Sequence, residues 1–237
     1  MGRRRNARLL TPEGAKMFHD RTDAARQLAE RIEASALKNP LVLGIPRGGV
    51  VVGAVLAESL GAELDVVLVR KLRAPFEPEL AIGALGEDGD VFLTDFARDV
   101  TGFSDAYLAE ELARQAAEIA RRRHAFRMVR PRAVATGRSV ILADDGIATG
   151  ATMLAALHVL KMQKPVELIV AVPVAPPDTL ALVARHCDQV VCLLEPAWMA
   201  AIGAFYADFE QVEDAEVLRL LGASLPMAKA PAADERR

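Results

Sequence analysis

Short apolar stretches, too brief for most helices and too continuous for half-exposed strands, recur along this chain at Leu41 to Ile45, Leu64 to Val69, Arg138 to Ala143, Val166 to Val174 and Val190 to Leu194. Strands of this kind are covered on both faces, which parallel sheets achieve with helices above and below. The segments between them have helical character: Val50 to Leu60, stopped by Gly61, then Leu154 to Leu160 and Leu180 to Ala184. Ahead of the first strand, Asp20 or Thr22 can cap a helix whose Ala25, Leu28, Ala29, Ile32 and Ala36 recur with helical spacing. The rhythm predicts an α/β fold, a Rossmann-like parallel sheet flanked by helices and joined by right-handed crossovers. Ligands of such sheets bind at the carboxyl ends of the strands.

About seventy residues between the second and third of these strands do not fit one crossover. They predict an insertion, at about 73–130, into a single domain spanning 1–222. It holds a Pro-flanked turn at 74–78, a hairpin of Ala81 to Leu85 with Val91 to Thr94, and a long helix from about Ser104 to Arg127. Along that helix Tyr107, Leu108, Leu112, Ala116, Ile119, Ala120 and His124 form one stripe. Arg121, Arg122 and Arg123 follow, either as favourable charge near a helix C-terminus or as a basic lip that draws in an anion. Residues 223–237 read as a loose Ala, Pro and charged tail.

The third strand leads directly into chemistry. After Val140 to Ala143 come Asp144, Asp145, Gly146, Ile147, Ala148, Thr149, Gly150, Ala151 and Thr152. The glycines let the backbone turn tightly, and the threonines stand where amides of a helix N-terminus can hold phosphate. Taken alone, this could be an ordinary strand-to-helix loop with solvated acids and a capping Thr. A nucleotide-hydrolase P-loop is excluded, because no Lys-Ser or Lys-Thr follows Gly150, and no Gly-x-Gly-x-x-Gly dinucleotide fingerprint occurs. The run resembles the phosphoribosyl-pyrophosphate (PRPP) motif of type I phosphoribosyltransferases, in a bacterial-type branch. The resemblance implies that Gly146 and Ala148 to Thr152 hold phosphate, while Asp144 and Asp145 hydrogen-bond the ribose diol, directly or through water on Mg²⁺.

A second strand-end loop, Gly44-Ile45-Pro46-Arg47-Gly48-Gly49, looks like the pyrophosphate loop of the same family. Gly48 and Gly49 expose backbone amides, and Arg47 can add charge-assisted bonds to phosphate oxygens. Arg70 and Lys71 stand at the end of the second predicted strand, where the family places basic residues that touch pyrophosphate; Lys71 fits that role best with Arg70 close behind, the alternative being a solvated strand-end pair. The family's mobile closing loop is replaced here by the longer insertion. By the same resemblance Asp144, Asp145, Lys71 and Arg47 are the catalytic set. The acceptor, usually a nucleobase, sits under a hood, here 195–221, with Trp198, Phe205 and Tyr206 as base platform or simply as core.

A net charge of −3 carries no broad nucleic-acid signature, although Arg3 to Arg8 is basic. No apolar run approaches the ~20 residues of a membrane span, and Cys187 and Cys192 lack zinc-ligand spacing. These features read as a cytoplasmic protein, and the family resemblance implies a homodimer that uses Mg²⁺ and PRPP to make a nucleotide from a base. The alternative is a PRPP- or nucleotide-sensing regulatory protein of the same fold that binds nucleic acid.

Overall fold

The computed structural model describes residues 18–78 and 80–224. The expected tail beyond Ser224 and the basic run at 3–8 lie outside the described residues. Five parallel strands, β1 (Leu41–Gly44), β2 (Glu63–Val66), β6 (Ser139–Ala143), β7 (Glu167–Val174) and β8 (Gln189–Leu194), form a sheet of order β2-β1-β6-β7-β8. All four pairings are parallel, as double-sided burial requires. Alternate residues divide the core. Val42, Ile141 and Ile169 face one layer with helices α1 (Arg21–Ala29), α2 (Gly48–Leu60) and α6 (Asp214–Ala223). Leu43, Leu142 and Val170 face the other, with α4 (Ala151–Met162) and α5 (Pro177–Val183).

Local signals set several boundaries. Asp20 caps α1, its carboxylate accepting from Asp23 N at 2.7 Å, and Gly61 ends α2 at φ +61°. α1 is shorter than its apolar spacing suggests: it stops at Ala29, and the exposed Ala36 lies in a separate 3-10 turn.

The second strand is corrected more substantially. β2 ends at Val66, and after two buried linking residues the chain starts β3 (Val69–Arg73), which belongs to another sheet. Buried Val67 and Leu68 make the sequence read as one run. β3 pairs antiparallel with β4 (Ala81–Gly86), and β4 with β5 (Val91–Leu93). Arg70 and Lys71 therefore lie inside the first strand of the inserted sheet instead of at a tip of the parallel one.

The inserted helix α3 (Asp105–Val129) starts at Ser104, whose hydroxyl accepts from Tyr107 N at 3.1 Å. Its buried face differs from the apolar stripe. Ala116, Ala120 and His124 are exposed, whereas Glu111, Gln115, Ile119 and Phe126 are buried. The two polar members are held locally: Glu111 Oε1 accepts from Arg73 N at 3.0 Å and from Gln115 Nε2 at 2.9 Å, and Oε2 is ion-paired with Arg114 at 2.7 Å. Further along, Arg127 donates to Asp65 of β2 at 2.7 Å and to Glu87 of the hairpin at 2.8 Å. These bonds fix α3 against both sheets and hold the insertion over the strand tips.

Candidate active site

The two glycine-bearing loops leave the sheet side by side. Gly44 of β1 is paired with Ala143 of β6, and Ile45 N continues the ladder by donating to Ala143 O at 2.9 Å. Loop 45–49 and loop 144–150 thus begin at one point on the carboxyl edge. A non-proline cis peptide joins Pro46 to Arg47.

Contact between the loops is close. A Cβ on Gly49 would fall 2.6 Å from Ala143 O and 2.9 Å from the Cα of Asp144, and one on Gly48 would run into the Asp145 carboxylate. Only glycine leaves room for both acids beside the first turn of α2. Gly150 lies at φ +79° ahead of α4, a left-handed turn that favours glycine, and buried Gly146 is covered by Ile202 of the C-terminal segment. Ala148 and Thr149 are exposed, Thr152 too, and Ala151 opens α4.

The two acids differ in environment. Asp144 accepts from Asp145 N at 2.9 Å. Burial, and then the neighbouring Asp145 charge, hold its carboxyl well above the usual carboxylate range. Asp145 accepts a 2.7 Å ion-paired hydrogen bond from Arg21 Nε, the side chains being 11% and 13% exposed. Arg21 is itself locked in place: its guanidinium lies 3.7 Å from the Phe209 ring centroid, and Nη1 donates to Glu210 O at 2.9 Å.

Next to the loops, Ile45, Pro46, Arg70, Lys71, Arg122 and Thr152 line a cleft of about 220 Å³. Arg70 pairs with Glu118 at 3.2 Å, and Arg47 turns to Glu213 at 3.5 Å. Arg47, Gly48 and Arg21 share a neighbouring recess of about 340 Å³ with Phe209 and Val212. Thr149 and Ala151 face a different, largely apolar groove of about 670 Å³ beside Phe92 and His158.

Of the three aromatic candidates, Trp198 is 79% exposed and Phe205 half-buried. Tyr206 is 5% exposed, with its ring centroid 5.3 Å from Phe18 and 4.8 Å from Phe209. Its hydroxyl donates to Asp145 O at 2.6 Å. Tyr206 is thus a strut beneath the acid pair, with no open face for a stacking base.

Residues 14–210 match the family model described as the phosphoribosyl transferase domain. The chain belongs to that family. It is 46% identical over 206 residues to "Putative phosphoribosyl transferase Rv0571c" of Mycobacterium tuberculosis strain H37Rv and equally to "Putative phosphoribosyl transferase MT0597" of strain CDC 1551. The matched region is 87% of this chain and 46% of each relative, so the chain spans about half the length of the curated relatives it matches. Among solved structures it is similar to TT1426 from Thermus thermophilus, with 45% identity and a TM-score of 0.83, covering 87% of this chain and 98% of that one.

Arg21 escaped the sequence reading, because nothing at the start of α1 signals a contact with a loop 124 residues later. Arg122 was legible as one of three arginines, but which of them turns inward depends on how α3 is set against the sheets. Arg121 and Arg123 are exposed, while Arg122 is half-buried.

Proposed function

We propose that this chain transfers the 5-phosphoribosyl group of PRPP to a nitrogenous base and releases pyrophosphate, a salvage-type reaction in nucleotide metabolism. The observation that carries this reading is the contact of Gly48 and Gly49 with Asp145 and Asp144. Two phosphate-binding loops that meet at an acid pair suit a ligand with phosphate at both ends and a diol between them.

In this reading the amides of Gly48 and Gly49, with Arg47, Arg70 and Lys71, receive the pyrophosphate end. Ala148 to Thr152 receive the 5-phosphate, with buried Gly146 shaping the turn beneath Ile202, and Asp144 and Asp145 the ribose hydroxyls. The C1–oxygen bond breaks with its electron pair leaving on pyrophosphate, and the base nitrogen lone pair forms the new C1–N bond. Positioned donors at the leaving group and exclusion of water are what the chain contributes. A lid of some kind must shield the oxocarbenium-like ribose from solvent, and the inserted sheet and α3 flank the cleft where it would act. Trp198 and Phe205 are the aromatic surfaces open to the acceptor.

The acid pair fits Mg²⁺ held through water. Asp144 and Asp145 repel one another across a half-buried site, and a divalent cation held there through water would offset that repulsion. When bound, the ion would neutralise charge developing on the leaving group. We take the protein to act in the cytoplasm as a homodimer; among the described residues no helix is long and apolar enough to cross a membrane.

The test is a base panel assayed for pyrophosphate release with PRPP and Mg²⁺, alongside thermal melting with the same ligands. Release with at least one base, lost in the Asp144→Asn, Asp145→Asn double variant, supports the reading. If millimolar PRPP with Mg²⁺ leaves the melting temperature unchanged and no base yields pyrophosphate, the reading fails.

A further inference from the structure

α3 places one arginine where its surroundings do not satisfy it. Arg122 lines the cleft with Pro46, Arg70, Lys71 and Thr152, and its Nε is buried without a hydrogen-bond partner. Leaving a charged donor buried and unpaired costs more than most hydrogen bonds return.

The nearby acids relieve it only in part, and neither hydrogen-bonds its Nε. Glu118 in the same cleft binds Arg70 at 3.2 Å, and Asp214 stands 3.9 Å from Arg121. Burial disfavours the charge of Arg122 most; Asp214 opposes this, while Arg70, Arg121 and Arg47 add to it. Arg70 of β3 and Arg122 of α3 thus share the cleft, while Arg47 of the β1–α2 loop, turned to Glu213 in the neighbouring recess, adds repulsion without a counter-charge for Arg122. An oxygen-rich anion entering the cleft would give Arg122 Nε the partner it lacks.

We infer that Arg122 is a substrate-contacting residue that binds phosphate oxygens at the pyrophosphate end of the substrate, supplied by the inserted helix instead of a strand-tip loop. The assignment deepens the proposed transfer and rests on it for the identity of the substrate. It also gives the insertion a chemical role, since docking α3 through Arg127 and Glu111 fixes the position from which Arg122 reaches the cleft.

The experiment titrates the full chain with inorganic pyrophosphate, with and without Mg²⁺, by calorimetry. It compares wild type with Arg122→Gln, Arg122→Lys and Arg123→Gln, the last removing an exposed charge from the same turn. Loss of one charge-assisted contact predicts about tenfold or greater weakening in Arg122→Gln. Arg122→Lys should recover part of the affinity, because an ammonium keeps the charge and loses the planar fork. Arg123→Gln should stay within about twofold of wild type. Melting curves establish that the variants are folded, and Arg122→Lys keeps the comparison informative if Arg122→Gln is not.

Pyrophosphate affinity in Arg122→Gln within twofold of wild type overturns the inference, as does equal weakening by Arg123→Gln. Wild-type binding that Arg122→Gln abolishes upholds it, even if no base supports transfer and the proposed reaction falls. Transfer by wild type that Arg122→Gln leaves unchanged in KM for PRPP removes the inference and leaves the reaction standing.

Discussion

Arg21 Nε donates to the Asp145 carboxylate at 2.7 Å, tying the first turn of α1 to an acid pair far along the sequence. Both side chains are almost wholly buried, so removing one strands the other as an uncompensated charge. Arg21→Ala should cost about 3 kcal/mol in urea unfolding. The Arg21→Ala, Asp145→Asn pair should recover part of that loss, since no charge is then left alone. Arg21→Lys should fall between, because it cannot reproduce the flat contact with Phe209. Unfolding midpoints for Arg21→Ala equal to wild type would remove the structural role.

Asp144 illustrates a site held at the expense of stability. Its carboxyl takes up a proton more readily in the folded chain than in the unfolded one, chiefly through burial and then through the Asp145 charge. The folded state therefore binds more protons, and stability falls as pH rises above the ordinary carboxylate value of about 4. Asp144→Asn should melt higher than wild type at neutral pH, with the advantage shrinking as pH drops towards 4, while pyrophosphate release is lost. Melting curves across that range in the absence of metal check the sign; a variant that melts lower at neutral pH contradicts it.

The two adjacent glycines should fail differently. Added methyl on Gly49 meets backbone, Ala143 O at 2.6 Å and Asp144 Cα at 2.9 Å, whereas on Gly48 it meets the side chain of Asp145. Backbone at a strand end has little freedom to retreat, so Gly49→Ala should lose about 2 kcal/mol or more. Gly48→Ala should cost stability through the Arg21–Asp145 pair it displaces and, unlike Gly49→Ala, should act mainly through the Asp145 side chain, raising KM for PRPP. Denaturant unfolding and steady-state kinetics on both variants separate the two effects.

Arg127 holds the insertion at its far end. It reaches Asp65 at 2.7 Å and Glu87 at 2.8 Å, and Asp65 is fully buried. Arg127→Ala should loosen α3 from the parallel sheet, costing about 3 kcal/mol and weakening pyrophosphate binding through the displaced Arg122. Hydrogen exchange should quicken in α3 and in β4–β5 while β6 and β7 stay protected. Uniform exchange across all these elements would mean that the helix is held by other contacts.

Much of the fold was written in local pattern. Apolar stretches marked four of the five parallel strands to within one residue, and the turn residues Gly61 and Gly150 stand where left-handed backbone is required. The two loops were legible for the same reason, since a helix start after a buried strand has a compositional signature of its own. The split between β2 and β3 was hidden because the linking residues are as buried as the strands they join. The inner face of α3 differs from its apolar stripe because its buried polar residues, Glu111 and Gln115, are held by hydrogen bonds that hydropathy does not register.

By itself the sequence determined which segments lie in the sheet and which loops crown it, because burial on both faces and tight turning are properties of a few consecutive residues. Tertiary structure alone decided that those loops touch, that Arg21 clamps Asp145, that Tyr206 braces the acid pair, and that Arg122 is the inward one of three arginines. Each of these is a contact between elements far apart along the chain, set by how sheet and helices pack, and a long-range contact leaves no periodic trace in the residues that make it.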